Sequence, residues 1–244
     1  MGFIVPVVII ALWQIAGSFG LIPVRWFPDP FTVANTIWEF LVTGELWEHI
    51  GITSMRVFAG FLIGSTVGTI VGALVGYSPT AKRLIDPMLQ AIRNVPGLAW
   101  VPLYLLWFGI FETSKIALIS SAVFFPVYLT LSAGIAQVDK RLLEVGMVFE
   151  FDAKSQITRI ILPAAIPAWI TGLRNGMGLA WLCVVAAELM GASKGIGFLM
   201  YDAQQVSRAD IIIASMVLFA ILGKICDWLL QLLGGRMLRY QAVG

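Results

Sequence analysis

Two pairs of neighbours set a cation beside an amide within apolar stretches: Arg93-Asn94 and Arg174-Asn175. A guanidinium offers five N–H donors and an amide two more, so each pair presents donors suited to a small anion. The alternative for Arg174 is an ion pair with a carboxylate. Glu188 lies about 21 Å further along a straight helix, which excludes a direct pair within that helix and leaves one between helices open. Ionisable groups are costly in lipid unless paired or hydrated. Arg93, Asn94, Arg174, Asn175 and Glu188 are therefore the candidates for a translocation path. Arg56 and Lys224 are expected near the ends of their stretches, where a long side chain can snorkel to the surface.

Catalytic chemistry has no comparable set of residues. His49 is the single histidine and has no partner at metal-ligand spacing; neither H-E-x-x-H nor G-x-S-x-G occurs. A phosphate-binding G-x-x-x-x-G-K-[ST] is also missing, since Gly223-Lys224 is followed by Ile225. The expectation is no catalytic residue, no metal site and no cofactor in this chain. Any ATP hydrolysis would belong to a partner. Cys183 and Cys226 both fall in apolar runs and read as small core residues.

The elements that must position these residues are membrane-spanning helices. Of 244 residues, 59% are hydrophobic and 12% charged, with a mean hydropathy of +0.90. Soluble domains carry roughly a quarter charged residues. A net charge of +2 gives no footprint for nucleic acid. Six stretches approach the roughly twenty residues that a span needs: Phe3–Leu21, Thr53–Tyr77, Leu84–Phe108, Ser114–Ile135, Ala164–Met190 and Ile211–Leu233. No basic n-region precedes the first, so a spanning helix is expected there rather than a cleaved signal. Pro23, Pro28 and Pro30 then read as extended chain, and Thr32 or Asn35 opens a short amphipathic helix with Ile37, Phe40 and Leu41 on one side. Trp26, Trp38 and Trp47 suit a bilayer interface.

Charge sets the orientation. One side carries Lys82, Arg83, Arg93, Lys140, Arg141, Lys154, Arg159, Arg236 and Arg239; the other carries Arg25, Lys115, Lys194 and Arg208. The positive side is the cytoplasm, which places both termini there. Gly60, Gly64, Gly68, Gly72 and Gly76 recur every fourth residue and form one groove for a neighbouring helix. That neighbour belongs to the same subunit or to another. Trp100, Tyr104, Trp107 and Phe108 have the bulk to narrow a pore, or to pack against lipid and helices.

Between spans four and five lies a charged interruption, about residues 139–163. Leu142, Leu143, Val145, Val148 and Phe149 recur at helical intervals over Lys140–Phe149. Asp152 is placed to cap a second helix that begins near Ala153, with Ile157, Ile160 and Ile161 as its apolar face and Pro163 at the entrance to span five. A short helix, a turn and a re-entering helix form a knob on which a soluble partner can dock. Its candidate contacts are Glu144, Val145, Gly146, Phe149, Glu150, Phe151 and Asp152.

Glu144-Val145-Gly146, with Ile161-Leu162-Pro163 closing the segment, resembles the EAA loop of ABC importer permeases. Two positions depart from that pattern: Ala-Ala is Val145-Gly146, and the turn glycine is Glu150. A non-glycine residue in a left-handed turn costs about 1 kcal/mol, so the turn is either built differently or strained. The stretches LWEHIGITSMRVFAGFLIG, QAIRNVPGLAWVPLYLLWFGIFETSKI, LPAAIPAWITGLRNGMGLAWLCVVAAEL and GIGFLMYDA are similar to the nitrate, sulfonate, taurine and bicarbonate branch of that family. IRNVP and LWFGI are most similar to aliphatic sulfonate permeases.

The resemblance implies an all-α, type I importer permease, a single transmembrane domain over 1–244 in a bacterial inner membrane. It implies a second permease copy, as a homodimer, and two ATPase subunits that hold ATP and Mg. A periplasmic or lipid-anchored binding protein would deliver an anion: an aliphatic sulfonate, or alternatively taurine, nitrate or bicarbonate. Gly195 to Asp202 would be an outer element that contacts that binding protein. A secondary transporter driven by an ion gradient is the rival of another class; its usual marks are inverted repeats and mid-membrane carboxylates.

Overall fold

A computed structural model describes residues 4–19 and 26–237; Pro23, Arg25 and Arg239 lie outside the described residues. All regular structure among the described residues is helical. In order the helices are α1 (Ile4–Ser18), α2 (Pro30–Thr43), α3 (Glu45–Tyr77), α4 (Pro79–Arg93), a 3-10 turn (Gly97–Trp100), α5 (Val101–Phe108), α6 (Glu112–Ala136), α7 (Lys140–Val148), α8 (Ala153–Gln156), a π segment (Ile157–Ile161), α9 (Leu162–Leu189), α10 (Ile196–Gln205) and α11 (Ala209–Met237). Four are long and apolar enough to cross a bilayer: Glu45–Tyr77, Glu112–Ala136, Ala153–Leu189 and Ala209–Met237. They match four of the six expected spans. The first span appears as α1, a shorter apolar helix within its described residues. The third is not one helix: α4, the 3-10 turn and α5 share its length, with a break after Arg93. Pro96 explains that break, because it disfavours the helical conformation at Val95.

The chain forms two compact units, one from Met1–Met55 and Glu188–Leu222, the other from Arg56–Ala187 and Gly223–Gly244. In the first unit α2 begins earlier than expected. Asp29 is the N-cap and Pro30 the first helical residue, in place of Thr32 or Asn35. Proline suits that position because the first N–H groups of a helix have no partner within it. The Thr32 hydroxyl and the Gln14 amide both donate to the Asp29 carboxylate, at 2.6 and 2.9 Å. These bonds hold its carboxyl below the usual carboxylate range and tie α1 to the start of α2. Ile37, Phe40 and Leu41 pack on a core of Leu46, Ile196 and Leu218.

In the second unit α6 is gripped from two sides. A Cβ added at Gly60, Gly68, Gly72 or Gly76 would meet α6 at 2.5–2.9 Å, and one at Gly64 would strike the Ser120 carbonyl. The whole glycine groove of α3 is thus occupied by α6 of the same chain. On the other side, Gly172 and Gly176 of α9 face Val127 and Val123. Ile119, Val123 and Val127 are fully buried between the two. Lipid supplies no hydrophobic drive to join helices, so close backbone approach at glycine provides the contact area instead. Trp169 Nε1 donates to Thr69 Oγ1 at 2.8 Å, which links α9 to α3.

Candidate functional site

Arg93 occupies the last turn of α4, where the partial negative charge of the helix end favours a cation. The side chain is exposed, and its one hydrogen bond among the described residues runs to Gln90 Oε1 at 3.4 Å. It borders a cavity of about 800 Å³ whose wall includes Ile63, Val67, Leu89, Trp100, Tyr104, Phe124, Phe125, Leu129, Leu179, Leu182 and Cys183. Among the described residues, Arg93 is the only charged one in that wall. Ser120 and Ser121 also line it, but their hydroxyls donate to the carbonyls of Ile116 and Leu118 at 2.7 and 2.8 Å. The space therefore suits a molecule with an apolar body and one anionic end. Asn94, the C-cap of α4, uses its backbone N–H on the Ala91 and Ile92 carbonyls, and its side chain is exposed. Trp100 and Tyr104 face the cavity; Trp107 and Phe108 pack around Tyr104 with ring centroids 6.4 Å away.

Arg174 lies elsewhere. Its Nε and Nη2 donate to the two oxygens of Asp227 on α11, at 2.8 and 3.2 Å. Lys224 Nζ approaches the same carboxylate at 3.6 Å. Asn175 beside Arg174 is exposed. The sequence suggests Glu188 as a carboxylate that could pair with Arg174 between helices, and the partner in the structure is Asp227. The usable signal was an aspartate within an apolar run of α11, opposite in charge to an arginine in the preceding span. The snorkelling expected of Arg56 is not observed. Arg56 is 2% exposed and makes a two-pronged pair with Glu112 at 2.6 and 2.7 Å. Burial beside a carboxylate replaces exposure at the surface. Lys224 stands in mid-helix rather than near an end.

Glu188, the remaining charged candidate, is 1% exposed at the end of α9. Its carboxylate accepts from Thr53 Oγ1 at 2.8 and 3.1 Å and from the Gly197 N–H at 2.7 Å. Thr53 Oγ1 in turn accepts from the Ile196 N–H at 2.9 Å. The Gly195 N–H donates to His49 Nδ1 at 3.0 Å. Carboxylate, hydroxyl and imidazole thus take up the free N–H groups that open α10, which is how Gly195 to Asp202 is fixed. Gly195 is required here: its φ is +127°, and a Cβ would come within 2.5 Å of the Glu188 carboxylate.

The loop over 139–163 is built as a helix, a reversal and a re-entering helix. Asp139 caps α7 by accepting from the Arg141 N–H at 2.9 Å. Asp152 caps α8 by accepting from the Ser155 N–H at 3.1 Å. Hydrogen bonding from Ser155 also holds the Asp152 carboxyl below its usual range. At the end of α7 the Phe151 N–H reaches the Gly146 carbonyl at 2.9 Å and the Glu150 N–H reaches Met147 at 3.0 Å. That is the Schellman pattern, which places its C′ residue in the left-handed region. Glu150 occupies the position, with φ +54°. The strained alternative is the one realised.

Gly146 is buried, and a Cβ there would meet Ile160 Cδ1 at 2.6 Å, so α7 lies directly on the re-entering helix. Arg159 stacks over the Phe151 ring at 5.4 Å. Glu144, Val145, Val148 and Phe149 remain exposed. The π segment precedes Pro163, whose missing N–H and ring are incompatible with regular α-helical bonding at that turn.

Glu150→Gly is expected to stabilise this turn by about 1 kcal/mol. Slower amide exchange over 147–151 would register it; unchanged exchange would show that the turn is not strained.

Long apolar helices, glycine-mediated packing and an exposed helix–turn–helix loop define a polytopic membrane protein. Residues 49–239 match the family described as binding-protein-dependent transport system inner membrane component, and the chain belongs to that family of ABC transporter permeases. It is 42% identical over 240 residues to a putative aliphatic sulfonates transport permease protein of Bacillus subtilis strain 168, covering 98% of this chain and 87% of the relative. It is 32% identical over 235 residues to the taurine transport system permease protein of Escherichia coli K12, covering 94% and 86%. The branch is that of the sulfonate, taurine and nitrate permeases. A crystal structure of an amino acid ABC transporter with histidines shares the fold at a TM-score of 0.68 and 19% identity, covering 81% of this chain and 96% of that one.

Proposed function

We propose that this chain, acting as one permease domain, forms the path for a small organic anion, an aliphatic sulfonate, in an ATP-driven importer. The observation that carries the reading is the cavity bordered by Arg93, largely apolar, with one guanidinium, two internally satisfied serines and the polar edges of Trp100 and Tyr104. An alkyl tail gains about 0.8 kcal/mol per buried CH₂, and the sulfonate takes the guanidinium. Nitrate and bicarbonate lack the tail that such a wall rewards. Taurine carries an ammonium, for which the wall offers no carboxylate among the described residues.

Energy enters through the loop over 139–163 from separate ATPase subunits, which hold ATP and Mg. Exposed Val145, Val148 and Phe149 supply apolar contact, and Glu144 supplies charge. Closure of the ATPases on two permease copies can shift the helices only as far as they bind the two states differently. The termini and this loop face the cytoplasm, and a substrate-binding protein delivers from the other side.

Glu144→Lys tests the docking role. ATPase co-purification and ATP-dependent uptake should fall about tenfold or more, as expected for opposing charge at an interface. Wild-type assembly and uptake would remove the loop from coupling.

A further inference from the structure

The cavity leaves a partly exposed charged group in the middle of two spanning helices without a task. Arg174 and Asp227 pair between α9 and α11, and Lys224 joins them from one turn earlier on α11. The group is not enclosed by its own chain: Arg174 is 38%, Asp227 32% and Lys224 76% exposed. Both Arg174 and Lys224 stand about 22 Å from the Leu189 and Ala209 ends of their helices, well within a hydrocarbon core of about 30 Å. Two cations against one carboxylate leave a positive charge over.

Charged side chains at such depth face a protein interior or a water-filled passage. Two copies meeting face to face at this surface would oppose like charges, which disfavours a dry contact there. Asn175, exposed beside Arg174, extends the polar strip. Rings of Lys and Arg are the device that lets anions through a pore.

We infer that the Arg174–Asp227–Lys224 cluster lines a hydrated stretch of the anion path. Lys224 is the cation that meets a passing sulfonate-type oxyanion. Asp227 occupies the fork of Arg174 and so prevents that arginine from gripping the same anion with two bonds. Passage needs attraction strong enough for entry and weak enough for exit, and the internal carboxylate provides the second condition. This rests on the chain being an anion permease, and it adds a residue, Lys224, and a role, competition by Asp227.

The test uses the complete importer with its ATPase and binding protein in vesicles, with radiolabelled butanesulfonate as the probe. Lys224→Gln should lower initial uptake about tenfold, the value of one charge-assisted hydrogen bond, and Lys224→Arg should restore most of it. Asp227→Asn should act differently, slowing uptake while the washed complex retains about tenfold more label. The losses should be equal in pure phosphatidylcholine and in vesicles with phosphatidylglycerol. A loss confined to the anionic lipid would assign the cluster to a lipid headgroup and overturn the inference. So would wild-type uptake and retention in both variants while Arg93→Ala is impaired, an outcome that leaves the proposed function standing. No ATP-dependent butanesulfonate uptake by the wild-type complex would overturn both.

Discussion

Glu188→Ala is expected to cost about 2–5 kcal/mol of stability and to unfasten the start of α10. The carboxylate is buried and takes hydrogen bonds from the Thr53 hydroxyl and the Gly197 N–H. Its removal leaves donors unsatisfied at about 1–3 kcal/mol each and opens a void. Glu188→Gln should cost less, about 1–2 kcal/mol. Its oxygen still accepts from Gly197, but its NH₂ would face Thr53 Oγ1, which already accepts from Ile196. Gly195→Ala should approach the alanine variant at Glu188, because φ +127° and a Cβ 2.5 Å from the carboxylate add backbone strain to overpacking. Thermal unfolding in detergent, with amide exchange over 195–205, checks the order. A Glu188→Ala protein as stable as wild type would show that the carboxylate serves passage rather than structure.

The largest functional effect is expected at Arg93. Arg93→Ala should reduce sulfonate uptake by about 10- to 100-fold, since a hydrogen bond to a charged group is worth about 1.5–3 kcal/mol. Arg93→Lys should recover part of the loss, because a point charge replaces the planar fork. The apolar wall adds a second signature. Uptake should rise with alkyl length in both proteins by a similar factor per CH₂, since each added CH₂ contributes about 0.8 kcal/mol independently of the head group. Uptake rates for a series of alkanesulfonates measure both effects. Equal rates in wild type and Arg93→Ala would remove the guanidinium from the path, and rates that do not rise with chain length would remove the cavity.

Local signals in the sequence were legible where they were strong. Five glycines at fourfold spacing mark a groove by geometry alone, though only the folded chain shows α6 filling it. Asp152 reads as an N-cap because an aspartate before a helical pattern has one obvious use. Glu150 reads as the odd residue of its loop, and the Schellman bonds at the end of α7 give the reason. Pairings between distant segments were not legible. Nothing near Arg56 announces Glu112, and although an aspartate in the apolar run of α11 stands out, its choice of Arg174 is made by helix packing. The third span failed as a single helix because hydropathy averages over Asn94–Pro96, where backbone chemistry ends α4.

The central claim is tested most directly by uptake of an alkanesulfonate into vesicles that hold the reconstituted importer. Import should require ATP on the ATPase side together with the binding protein, and it should persist when proton and sodium gradients are collapsed. Import by the permease chain alone, driven by an ion gradient and indifferent to ATP, would contradict the account.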